Sequence, residues 1–190
     1  MKKSYISVLF AAAILIVSGC TKLDEKVYSE VLAKDFVPTQ NDIPSIVGPV
    51  YSVMRPMMMD WQGYFDVEEE SADQIVTPGR PNGWVDGGTY QRMHKHEWTP
   101  EEWQPWNLWL NCFSGITTAN RVIYQIESGE IAMTQGKSEL LAELRTVRAF
   151  YYYLLCDNHG NVPIVTDYTN TELPAQKSQL DVYNFVVSEL

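Results

Sequence analysis

Two long apolar stripes at helical spacing constrain this chain more than any other feature. Trp106, Trp109, Leu110, Phe113, Ile116, Ile123 and Ile126 recur on one face of a 3.6-residue period and stop near Gly129. Leu140, Leu141, Leu144, Val147, Tyr151, Leu154 and Leu155 form the second stripe, after Ser138, with Gly160 as its C-terminal cap. Faces this wide must be buried against one another. A shorter stripe (Ile43, Ile46, Val47, Val50, Tyr51, Met54) precedes them; Thr39 or Asn41 can cap it, Pro44 suits its first turn, and Pro49 kinks it or shifts its start. After the second stripe, residues 162–165 leave as an extended segment. Ser178 to Asp181 then reads as a capping box, opening a helix with Tyr183, Val186, Val187 and Leu190 on its apolar face. That last stripe has no following partner, so the helix is expected to need packing from a continuation of the chain. The predicted class is all-α, with tetratricopeptide-like helical hairpins, although the repeat's signature motif is not visible.

Residues 60–105 break this pattern. Pro78, Gly79, Pro81, Gly83, Gly87, Gly88 and Pro100 alternate with Trp61, Trp84, Tyr90, Trp98 and Trp103, and neither a two-residue nor a 3.6-residue period survives. The reading is a long irregular Trp/Gly/Pro-rich insert with room for one short strand. Loops of that length in a compact domain usually serve function.

The N-terminus carries an address. Lys2 and Lys3 precede an apolar run of about 12 residues, short of the ~20 needed to span a bilayer. Val17-Ser18-Gly19-Cys20 resembles the lipobox of bacterial lipoproteins, which makes residues 1–19 a signal peptide, Cys20 the lipidated residue, and 20–38 a tether. Thr21, rather than an Asp, favours the outer membrane. The domain proper is then expected over 39–190, truncated at its C-terminus. A net charge of -10 excludes nucleic acid as a partner.

The segment Leu144-Arg145-Thr146-Val147-Arg148-Ala149-Phe150-Tyr151-Tyr152-Tyr153, followed by Gly160-Asn161-Val162-Pro163-Ile164-Val165 and by Asp181-Val182-Tyr183, resembles the hallmark of the SusD-like (RagB/SusD) lipoproteins. Ala119-Asn120 on the Trp-rich helix and Leu23-Asp24 after the lipobox agree in order and spacing. His159 stands where the family has Tyr, and Asn161 where it has Asp. Members run several hundred residues further, so the resemblance covers an N-terminal part. It implies a lipid-anchored, surface-exposed outer-membrane protein that captures oligosaccharides, or sometimes peptides, for a SusC-like TonB-dependent transporter, without covalent chemistry or a cofactor. Bacteroidetes glycan uptake is its usual setting.

Sugars present a flat apolar face and a rim of hydroxyls, so they are held by an aromatic ring beside polar side chains. The loop from Asp73 to Asp86 supplies both, and in the family this loop contributes ligand contacts. The candidate ligand-binding residues are Asp73, Arg80 and Trp84, with Asn82, Asp86 and Trp98 behind them. The competing reading pairs Asp73 with Arg80 as a brace and packs Trp84 beneath the loop. Trp106 and Trp109 are read as core, Trp103 fits either role, and at least one ring of Tyr151-Tyr152-Tyr153 must face outward.

Other motifs carry less. His94 and His96 lack the further ligands a metal site requires. Glu68-Glu69-Glu70 reads as a solvated face rather than a catalytic carboxylate set. Cys112 and Cys156 are read as free thiols unless their helices bring them within disulfide reach. The functional alternatives are an adaptor lipoprotein binding peptides or other outer-membrane proteins, and, more remotely, a surface glycosidase.

Overall fold

A computed structural model describes residues 37–59 and 63–190, all within one compact unit, Ala33–Leu190. The signal segment, Cys20, most of the tether and Trp61 lie outside the described residues. Among those residues a 3-10 turn, Gln40–Asp42, leads into seven helices: α1 Ile43–Ser52, α2 Met54–Met59, α3 Tyr64–Ser71, α4 Thr89–His94, α5 Trp103–Glu127, α6 Lys137–Asn158 and α7 Gln179–Glu189; a second 3-10 turn, Asp86–Gly88, precedes α4. No strand occurs among the described residues; one isolated bridge joins Pro163 and Gln176.

The chain is mostly helical, as its periodicity predicts. Helices α5 and α6 form an antiparallel hairpin: Arg145 reaches Glu127 at 2.9 Å, Arg148 reaches Asn120 at 2.7 Å, and Gly115 lies under the Tyr151 ring. Leu144, Val147, Tyr151, Leu154 and Leu155 of α6 meet Cys112, Ile116, Ala119, Ile123 and Ile126 of α5 in one core. Helix α1 closes it with Ile46, Val47 and Val50, and continues through Pro49. Its register is held by the Tyr151 hydroxyl, which donates to the Val50 carbonyl at 2.5 Å, and by the Tyr51 hydroxyl, which donates to Glu143 at 2.9 Å. Thr39 caps the 3-10 turn rather than α1 itself, donating to Asp42 through its backbone N–H and its hydroxyl, and α1 starts from Asp42 without a side-chain cap.

Helix α6 ends where glycine was expected to end it. Gly160 adopts φ 68°, and both His159 and Gly160 N–H groups return to the Leu155 carbonyl. The extended segment beyond is tied to the hairpin at Val165: Asn120 Nδ2 donates to its carbonyl at 2.8 Å, and its N–H donates to the Tyr152 hydroxyl at 2.8 Å. Ser178 caps α7 through the expected box with Asp181.

Several expectations need correction. The face of α7 that packs is Val182, Phe185 and Val186, whereas Tyr183, Val187 and Leu190 are exposed. Glu189 orients it, pairing with buried Arg148 at 2.5 Å. The 60–105 region is not one loop, since α3 and α4 interrupt it. Glu70 is not solvated: it is fully buried and accepts from the Thr77 hydroxyl. Trp106 is exposed rather than core, because α5 turns Gln104, Leu108 and Cys112 inward. Tyr151 and Tyr152 are buried and Tyr153 is exposed, in keeping with helical geometry.

Candidate functional site

Residues 72–102 run from the end of α3 to the start of α5 and hold most of the exposed rings. The three non-glycine residues with positive φ among the described residues, Asp73, Asp86 and His96, all fall here. Such backbone persists only where neighbouring contacts over-determine it. Those contacts are present. Thr77 is anchored on Glu70, and the Tyr90 hydroxyl donates to Asp66 at 3.0 Å. Thr89 donates to Glu102 at 2.6 Å, and Arg92 grips Glu102 through Nε and Nη2 while its Nη1 donates to the Gly87 carbonyl at 2.8 Å. His96 Nε2 lies 2.8 Å from the Ser71 carbonyl. The rings are therefore held out on a braced frame.

The six candidates fall into separate groups. Trp84, 53% exposed, leans on the Tyr90 ring with centroids 5.5 Å apart. Trp98, 45% exposed, meets His96 edge-on at 5.5 Å, and His96 in turn lies 3.8 Å from Asp73. Asp73 also faces His94 at 3.4 Å, and no ion pair links it to Arg80 among the described residues, so the proposed brace is not formed. Arg80 and Asn82 are exposed on a turn closed by Gly83 N–H donating to the Arg80 carbonyl at 3.0 Å. Asp86 lies on the rim of a cleft shared with Arg92 and Trp103.

Trp98 walls a second cleft of about 330 Å³, at the small end for ligand pockets. Glu68 and Ser71 of α3 line it, together with Asp157, Asn158 and His159 from the end of α6. Burial holds the His159 imidazole below its ordinary pKa, hence neutral, and its ring sits edge-on to Trp109 at 5.3 Å. An indole wall, an amide, hydroxyl and carboxylate rim, and no fixed positive charge make a surface suited to stacking and hydrogen-bonding a polyol. The α6 residues were not candidates from sequence; only the departure at His159 marked them. Trp106, read as core, is a surface ring, and Trp103, which fitted either role, is one as well. Their signal was the competing stripe of Gln104, Leu108 and Cys112 at four-residue spacing.

Among the described residues no group of three His, Cys, Asp or Glu could hold a metal ion, and Asp73, His94 and His96 do not form one. Cys112 and Cys156 are free; burial pushes the Cys112 thiol up to about 12. No described helix is long and apolar enough to cross a membrane.

Residues 23–185 match the SusD-like family described as starch-binding and associating with the outer membrane. A curated SusD-like protein of Formosa agariphila is 18% identical over 147 residues, covering 76% of this chain and 28% of its own length. Among solved structures, surface glycan-binding protein A of Bacteroides uniformis superposes with a TM-score of 0.65 at 19% identity, covering 80% of this chain and 33% of that one. A laminarin-binding SusD-like protein gives 0.64 at 21% identity, covering 81% and 33%. The chain thus spans about a third or less of the length of these relatives. At these identities the structural likeness speaks for the fold.

Proposed function

This chain belongs to the SusD-like family, and from that membership and the exposed rings of residues 72–102 we propose that it captures oligosaccharides at the bacterial surface without altering them. The observation that carries the reading is Trp98, an indole left half in water at the wall of a polar cleft on a braced loop. A pyranose ring stacks its C–H face on Trp98, displacing water from apolar surface on both partners. Ser71, Asn158 and the carboxylates of Glu68 and Asp157 accept or donate the hydroxyl hydrogen bonds. Trp84, supported by Tyr90, offers a second face at the loop tip with Arg80 and Asn82; Asp73 stands behind Trp98 through His96, and Asp86 edges the cleft beside Trp103. Because the frame is already ordered, little conformational entropy is lost on binding.

Cys20 anchors the protein in the outer membrane through its acyl chains, with residues 20–38 as the tether and 39–190 as a helical domain. The captured glycan is handed to a SusC-like TonB-dependent transporter. Isothermal titration of the full-length protein against neutral and acidic oligosaccharides tests the reading. A saturable heat with at least one glycan, reduced about tenfold in Trp98→Ala, is expected. Binding left unchanged in Trp98→Ala would remove the cleft from the site, and no heat with any glycan would refute capture.

A further inference from the structure

The first turn of α5 carries a feature that the loop site does not use. Trp103 is 59% exposed and Trp106 is 50% exposed, and a three-residue spacing puts both on one helix face. Between and beside them lie two hollows that share Glu101 and Trp103 in their walls. One, of about 260 Å³, is lined by Pro100, Glu101, Trp103 and Trp106. The other, of about 300 Å³, has Trp103 as a wall and a rim that includes Asp86, Thr89, Arg92, Thr99 and Glu101. We propose that the Trp103–Trp106 ledge, with these hollows, is a second sugar-binding subsite and that it takes an uncharged glycan ring.

Two arguments support the site. The ledge is not a plain apolar patch of the kind that docks a protein, since Trp103 borders the polar hollow of Asp86, Thr89, Arg92 and Thr99, and the Glu101 carboxylate edges the smaller one shared with Trp106. Its rim is also fixed beforehand: the buried Glu102 carboxylate is taken by Arg92 and Thr89, and Glu102 and Glu101 N–H groups are both turned toward Thr99. Charge decides the class of ligand. The larger hollow carries three carboxylates (Asp86, Glu101, Glu102) against one guanidinium, and every donor-bearing nitrogen of Arg92 is committed to Glu102 or to the Gly87 carbonyl. The Thr99 hydroxyl holds the Glu101 carboxyl below its usual pKa, so it stays charged in neutral solution. The cleft beside Trp98 repeats the pattern, with Glu68 and Asp157 over a neutral His159. A uronic acid or sulfate group would meet an excess of negative charge in both: beside Trp103 only the Arg92 guanidinium, already shared with Glu102, opposes it, and no Lys or Arg lines the cleft beside Trp98. Arg80, at the loop tip, lines neither.

This rests on the glycan-capture reading, and the test separates the two. The full-length protein, Trp103→Ala/Trp106→Ala and Trp98→Ala are titrated at low salt with laminarihexaose, maltohexaose and hexagalacturonate, with far-UV circular dichroism as the folding check. Exposed rings should be removable without loss of fold. The expected result is a loss of about tenfold in affinity for a neutral hexasaccharide in the double variant, and no binding of hexagalacturonate. Wild-type affinity in the double variant alongside a loss in Trp98→Ala overturns the ledge and leaves capture standing. Hexagalacturonate bound as tightly as a neutral sugar overturns the ligand class. A wild-type protein that binds none of the three defeats the ledge together with the capture reading for these glycans.

Discussion

A methyl group at Gly115 would lie nearer than 3.0 Å to three atoms of the Tyr151 ring, which is fully buried and bonded to the Val50 carbonyl. The ring cannot step aside without breaking the contact between α5, α6 and α1. Gly115→Ala is therefore expected to destabilise the protein by about 1–3 kcal/mol. Gly48 provides the control, because nothing lies within 4 Å of where an alanine methyl would sit. There Gly48→Ala adds helix propensity in α1 and is expected to stabilise by roughly 0.5–1 kcal/mol. Urea unfolding midpoints of the two variants check both signs. Gly115 was not recognisable from sequence as a contact, since its meaning depends on which ring faces it. The same limit explains Trp106. Hydrophobicity suggests burial, but the face of α5 that is buried carries Leu108, Cys112, Gly115 and Ala119, and Trp106 lies off it. Glu70 shows the converse, a carboxylate drawn inward, with one oxygen accepting from Thr77 and the other buried without a partner.

At the scale of elements, the long helices were legible and the short ones were not. Helices α5 and α6 are long enough for their period to show, and their ends carry Gly129 and Gly160, both at positive φ. Helix α4 has six residues, too few for periodicity or for stability alone. It exists because Thr89 and Arg92 reach across to Glu102, the residue preceding α5. That link predicts a pH dependence. The hydrogen bond from Arg92 holds the Glu102 carboxyl below the ordinary value, assisted by Thr89 and opposed by burial. A carboxyl depressed on folding stabilises the fold above its unfolded value, near 4.3, and that contribution is lost as pH falls through the folded value. Unfolding free energy should therefore drop below about pH 4, and Glu102→Gln should lower stability at neutral pH while flattening the acid limb. Denaturation curves from neutral to acid pH, compared between wild type and Glu102→Gln, read this directly. The last helix was seen in sequence but turned wrongly. Tyr183 and Val187 looked like its inner face, yet the Arg148–Glu189 pair rotates Val182 and Phe185 inward.

For the whole molecule, the family motif proves to be a set of packing instructions. Arg148 bonds Asn120 and Glu189, Tyr152 and Asn120 hold Val165, and Tyr151 holds α1. These residues fix the frame and stay buried, so a resemblance carried by them identifies the scaffold without revealing its ligand. The exposed rings lie elsewhere, on the segment whose sequence has no period. Their chemistry was visible there as Trp beside Asp, Asn and Arg, but not their grouping, which depends on α6 delivering Asp157 to His159 beside Trp98. The account's central claim is that a glycan stacks on indoles held in water by a stiff helical frame. The most direct test is NMR of the indole N–H groups of the six tryptophans during titration with a bound oligosaccharide. The account predicts saturable shifts at Trp84 and Trp98 while Trp109, packed between Phe113 and His159, stays still. Saturable binding that leaves Trp84 and Trp98 unmoved would contradict it.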